Sequence, residues 1–127
     1  MTLEEFKNAY TLIDGAVLSL CLEYDSSVLQ NDDRIILRVK GRKFLPQGKF
    51  ETAIFSLEFH RLKEFIYYEE FDSKTISHWT LVKTSLDQFY LALDPAQEDN
   101  PSERDNMVVQ SQYLFFTDSL GVQHQLK

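Results

Sequence analysis

In FETAIFSLEF, residues 50–59, apolar Ala53, Phe55, Leu57 and Phe59 fall on every second position, with Thr52, Ile54, Ser56 and Glu58 between them. A period of two puts alternate side chains on opposite faces of an extended chain, so this stretch is expected to be a strand with one face inward. The same pattern returns in RIILRVK, where Ile35, Leu37 and Val39 alternate with Arg34, Ile36, Arg38 and Lys40. It returns again in QFYLALD, with Phe89, Leu91 and Leu93 set against Tyr90 and Ala92, and MVVQSQYLFFT reads as a further strand. AVLSLCLEY places Leu18, Leu20, Leu22 and Tyr24 on one face; TISHWTLVK and the tail VQHQL complete seven or eight strands. Successive strands with no helix between them predict a mainly β fold, α+β at the margin, built as an antiparallel sandwich or open barrel.

Beyond His60 the spacing of Phe59, Leu62, Phe65 and Ile66 also suits a helix, but the density of Phe, Ile and Tyr favours a continuing strand with a bend or bulge near Arg61. Only the start is helical. Thr2 and Glu5 make a capping-box pattern, and Leu3, Phe6, Tyr10 and Ile13 recur three and four apart until Asp14-Gly15, which is expected to stop the helix. The predicted core is Leu20, Leu22, Phe55, Leu57, Phe59, Leu91 and Leu93, each on the more apolar face of its strand. With 127 residues, 43% of them hydrophobic, the chain suits a single domain over 1–127.

The formal charge of −7 argues against a nucleic-acid partner, which requires a dominant basic surface. The charge is unevenly placed. Residues 34–49 carry six bases and no acid, whereas 1–33 carry seven acids and one base and 50–127 thirteen acids and six bases. The basic stretch RIILRVKGRK is expected to be a solvated edge that deters aggregation, with an RNA or acidic-protein contact as the rival reading. MTLEEFKNAY lacks an apolar signal-peptide core and no apolar run is long enough to cross a bilayer, so a cytoplasmic location away from membranes is expected. Cys21, the one cysteine, is expected to be a small, partly buried, inert residue.

YLALDPAQEDNPSERDN, residues 90–106, holds five acids against Arg104. Counted from Asp94 as a calcium loop, the central glycine is missing, because the sixth place is Asp99. Asp94-Pro95 instead ends a strand, with the aspartate side chain available to cap the turn. Glu98, Asp99, Glu103 and Asp105 are therefore read as a surface for docking a protein partner rather than as metal ligands. His60, His78 and His124 lie far apart in sequence; Glu58 and His60 share a strand face, but two groups do not make a metal centre. With no G-x-S-x-G elbow or phosphate-cradling glycine loop, no catalytic residue, metal or cofactor is expected and the chain is read as non-enzymatic.

YTLIDG (10–15), FYLALDP (89–95) and ERDNMVVQSQ (103–112) together resemble elements of small bacterial β-proteins, some of which look like immunity proteins of polymorphic-toxin systems. The resemblance implies a cytoplasmic protein that binds and blocks a cognate toxin, a basic one given the acidic charge. The alternative is a homo-oligomeric β-domain, such as a homodimer joined at a sheet edge, or a small-ligand binder with a pocket lined by Glu58, His78 or Tyr90.

Overall fold

The computed structural model describes residues 1–24, 32–67, 75–94 and 107–127. The elements are α1 (Leu3–Ala9), β1 (Tyr10–Glu23), β2 (Arg34–Phe44), β3 (Phe50–Tyr67), β4 (Trp79–Lys83), β5 (Phe89–Leu93), β6 (Met107–Thr117) and β7 (Gln123–Leu126). All strand pairings are antiparallel, in the order β1-β2-β3-β6-β5-β4, with β7 also on β6. The protein is mainly β, a seven-stranded antiparallel sheet not closed into a barrel, behind one short N-terminal helix.

The sheet curls around one core. Phe6 of α1, Leu12 of β1, Ile35, Leu37 and Val39 of β2, and Leu57 and Phe59 of β3 are inaccessible to solvent, as are Leu81, Leu91 and Leu93 on β4 and β5. Every element contributes to this single apolar cluster. The two ends of the sheet approach each other at Ile76: Asp14 N–H donates to the Ile76 carbonyl and Ile76 N–H to the Gly15 carbonyl, both at 2.8 Å. The helix spans the remaining gap, Phe6 meeting Trp79 edge-on and Lys7 Nζ donating to the Leu81 carbonyl at 3.0 Å.

A kink divides β6 between two partners. The β3–β6 register shifts between Leu62 and Glu64, and Arg61 sits at φ 56°, so the bulge expected near Arg61 is present. On β6 the inward set changes from Met107 and Val109 to Leu114 and Phe116 across it. Before the kink β6 pairs with β5, after it with β7. Bulges sharpen local twist, which lets one long strand serve two directions of the curled sheet.

The N-terminal expectation is corrected. The capping box forms as predicted, with Thr2 Oγ1 accepting from Glu5 N–H and Glu5 Oε1 accepting from Thr2 N–H. The helix nevertheless ends at Ala9, and Tyr10, Thr11 and Ile13 are already in β1. Tyr10, Thr11, Leu12 and Ile13 are β-branched, aromatic or large residues, and pairing with Lys43 and Arg42 satisfies the Tyr10 and Thr11 backbone better than one more helical turn would. Asp14-Gly15 is not a stop but an irregularity within β1, with Asp14 at φ 60°.

A second shift in β1, between Val17 and Ser19, removes Leu18 from the inward row; it is 45% exposed. Leu20 and Leu22 do face inward, but near the sheet's end they are only partly buried. Phe55, Leu57, Phe59, Leu91 and Leu93 are buried as expected. Cys21, opposite the outward Ile36, is exposed rather than partly buried. TISHWTLVK yields a shorter strand than expected, beginning at Trp79. β5 departs from alternation altogether: all five residues are buried, because Tyr90 and Ala92 join Val108 in a second apolar cluster on the opposite face, with Ile66 and Val82 against it. No helix among the described residues is long and apolar enough to cross a membrane.

Candidate binding surface

Antiparallel register places directly opposed side chains on one face, so the outward face is read from pairings across the sheet. One row runs Glu23, Arg34, His60, Tyr113; the next Cys21, Ile36, Glu58, Phe115; the next Ser19, Arg38, Ser56, Thr117. Beyond these, Lys40 lies opposite Ile54, Arg42 opposite Thr52 and Phe44 opposite Phe50. The first rows and the last differ in how their charges are balanced.

Around His60 the polar side chains engage one another. Its Nε2 lies 3.4 Å from Glu58 Oε1 and its Nδ1 3.8 Å from Asp32 Oδ1, and the imidazole packs on Phe115 at 4.7 Å between centroids. Glu58 Oε2 accepts from Gln123 Nε2 at 2.9 Å, and Arg34 bridges Asp32 at 3.1 Å and Glu23 at 3.7 Å. The Glu58/His60 pair foreseen from strand parity thus exists, joined by Asp32, two residues before β2. It lies on a closed sheet face, and no metal-holding group of three or more His, Cys, Asp or Glu occurs among the described residues.

The β2–β3 hairpin is different. Arg38, Lys40 and Arg42 project from the outward face at successive even positions, roughly 7 Å apart along the strand. Among the described residues only Arg42 is compensated, by Asp14 at 3.4 Å, and its guanidinium also lies over the Phe50 ring at 4.2 Å. Lys43 and Lys49 flank the turn. Beside these bases Phe44, Phe50 and Ile54 are 47%, 53% and 42% exposed. Large apolar groups are normally withheld from water, so their exposure beside these bases makes the hairpin the candidate surface. Pro46 and Gly48 form the bend, as the sequence indicates, with Gln47 and Gly48 both at positive φ.

Two of the cavities lie near β1 and the hairpin. One, about 440 Å³, is an apolar recess between Val17–Leu20 of β1 and Phe65, Tyr67 and Met107. The other, about 250 Å³, is polar and lies at the base of the hairpin between Arg38, Ser56 and the β6–β7 turn. Neither is lined by Glu58, His78 or Tyr90, the residues a ligand pocket was expected to use. His78 lies beside Asp94, whose Oδ1 accepts from the Ser77 and His78 amides at 2.9 and 3.0 Å. Asp94 thus ties the end of β5 to the segment before β4, while the turn at Pro95 that it was expected to cap lies outside the described residues. Glu98, Asp99, Glu103 and Asp105 lie outside the described residues.

In the β6–β7 turn the Asp118 carboxyl is held low. Asp118 accepts N–H bonds from Val122 and Leu120, both at 3.0 Å, and faces His124 at 3.4 Å. The Val122 bond leads in holding its carboxyl below the ordinary 3.8, with His124 and Leu120 adding to it. Burial, with smaller contributions from Asp118 and Glu51, pushes the nearby Tyr10 phenol up. A lowered folded-state value stabilises the fold above the unfolded value, and that gain is lost as pH falls through the folded one. Wild type should therefore exceed Asp118→Asn in stability at pH 7, and the difference should shrink as pH falls below about 3.8. Urea denaturation across that range reads it; a pH-independent difference would contradict the assignment.

The sequence announced the basic stretch but not the apolar side chains that accompany it. Phe44 and Phe50 flank the turn symmetrically, which is the signal that could have placed them opposite each other. Compared with known protein families, curated proteins and solved structures, the chain has no match.

Proposed function

We propose that the protein is a non-enzymatic binding protein that docks a protein partner on the outward face of the β2–β3 hairpin, and that its biological form is an immunity protein blocking a cognate toxin. The carrying observation is the juxtaposition of Arg38 and Lys40, which form no ion pair among the described residues, with exposed Phe44, Phe50 and Ile54. Bases around aromatic anchors match an acidic patch with an apolar centre: the apolar area supplies affinity, while the charge supplies orientation and encounter rate. A nucleic-acid strand is the poorer fit, because a chain of net charge −7 repels phosphate outside this one hairpin. Glu98, Asp99, Glu103 and Asp105 are proposed to steer a basic region of the same partner, so that opposite signs on one protein fix its approach.

The reading is tested by affinity capture from cells of the native host with wild type and with Arg38→Glu/Lys40→Glu. Both changes lie on exposed side chains, so the variant should fold as wild type does. The expected result is one protein held by wild type and lost by the variant. Equal capture by both would place the docking surface elsewhere.

A further inference from the structure

The hairpin also has an unpaired edge. β3 pairs with β2 from Phe50 onward, but β6 joins it only at Ser56, so among the described residues Phe50–Phe55 has a strand on one side alone. Which backbone groups face the empty side follows from the hydrogen bonds at the two hairpin ends. Leu45 N–H donates to the Lys49 carbonyl, which makes 45/49 a hydrogen-bonded pair and directs the odd-numbered residues of this part of β3 toward β2. Asp118 N–H donates to the Val122 carbonyl, which directs Thr117 toward β3, where it meets Ser56. Both ends agree: Phe50, Thr52 and Ile54 aim their N–H and C=O groups at the open edge.

We infer that this edge pairs with the same edge of a second copy, antiparallel, about a two-fold axis at Thr52. An antiparallel two-fold pairing centres on a single residue; a centre at Glu51 would oppose two carboxylates and one at Ala53 would set Phe50 against Ser56, which β6 already pairs, whereas Thr52 avoids both. Centring on Thr52 sets Thr52 against its equivalent and Phe50 against Ile54 on both sides, making roughly six main-chain hydrogen bonds. It also joins the exposed Phe50 and Ile54 side chains into apolar cross-strand pairs. On the other face Glu51 meets Ala53, so no like charges stand directly opposed there. The segment carries no proline and no bulge, two of the devices by which natural sheets protect such an edge. A second copy is favoured over a foreign strand because this one register matches hydrogen bonds and apolar side chains together. The inference goes beyond partner docking, since it uses the strand edge and needs no partner.

Sedimentation velocity on the purified protein, with no partner present, tests it. The expected mass rises with concentration from 14.9 kDa toward twice that value. Thr52→Pro removes an edge-facing N–H but no bond to β2, and should raise the dimer dissociation constant about tenfold or more. Thr52→Lys, which sets two ammonium groups face to face on the axis, should do the same without touching the backbone. In a Cys21→Ser background, Thr52→Cys should form a disulfide-linked dimer under mild oxidation, since a hydrogen-bonded antiparallel pair holds its Cα atoms about 5.5 Å apart. A wild type that stays monomeric up to millimolar concentration overturns the inference. So does a dimer indifferent to both Thr52→Pro and Thr52→Lys.

Discussion

Replacing Phe116 by alanine is expected to cost about 3–5 kcal/mol, the range for deleting a buried aromatic ring. Phe116 is 1% exposed, and its ring stands 4.9 Å from Phe6, 4.8 Å from Tyr10, 5.5 Å from Phe55 and 5.7 Å from His124, centroid to centroid. These neighbours belong to α1, β1, β3 and β7, so the ring ties the helix to three strands. A cavity there cannot collapse without moving four elements, which places the cost toward the upper end. Against a typical total of about 5–15 kcal/mol the variant should be near the limit of folding. Urea denaturation should show a lower midpoint at an unchanged slope. A loss below about 1 kcal/mol would show that the ring is not a central part of the core.

Gly15→Ala should be almost as severe, for a different reason. A Cβ at Gly15 would lie 2.2 Å from the Lys40 carbonyl oxygen and 2.9 Å from that of Leu12. Both are backbone atoms, so no side chain can swing aside and β1 must shift against β2. That shift strains the two hydrogen bonds with Ile76 that draw the sheet's ends together. Overpacking and weakened hydrogen bonds together suggest a cost of about 3 kcal/mol. Gly48→Ala is the control. Nothing lies within 4 Å of its Cβ position, so its cost is only that of holding φ +72° in a residue with a side chain, about 1 kcal/mol. Equal costs at the two glycines would contradict the close crossing at Gly15.

These sites also show which parts of the fold could be read from residues alone. β2 and the first half of β3 alternate without interruption, and there the buried and exposed faces follow from the sequence. β1 has the same apolar content, but two register shifts, around Asp14-Gly15 and at Leu18, break the parity; a bulge is a backbone event with no reliable residue signature. Tyr10 and Ile13 satisfy helical spacing as well as strand propensity, and the partner strand decides between them. Tyr90 and Ala92 look like an outward face and are buried because that face is covered too. Arg61 is the opposite case. Change of spacing after His60 betrayed the bulge.

The candidate surface was half legible. Six bases within residues 34–49 are visible by counting, whereas the opposition of Phe44 to Phe50 and the stacking of Arg42 on Phe50 are products of hairpin register. The Glu58/His60 pair followed from strand parity, but Asp32 lies outside any strand and no parity rule places it there.

The most direct test of the docking surface is the affinity and association rate of the captured partner for three forms of the protein, at low and at physiological salt. The forms are wild type, Arg38→Glu/Lys40→Glu, and Glu98→Gln/Asp99→Asn/Glu103→Gln/Asp105→Asn. The hairpin variant should bind about tenfold or more weakly, and the loop variant should associate more slowly, most visibly at low salt. A hairpin variant that binds with wild-type affinity at both salt concentrations would contradict the assignment of the β2–β3 face as the working surface.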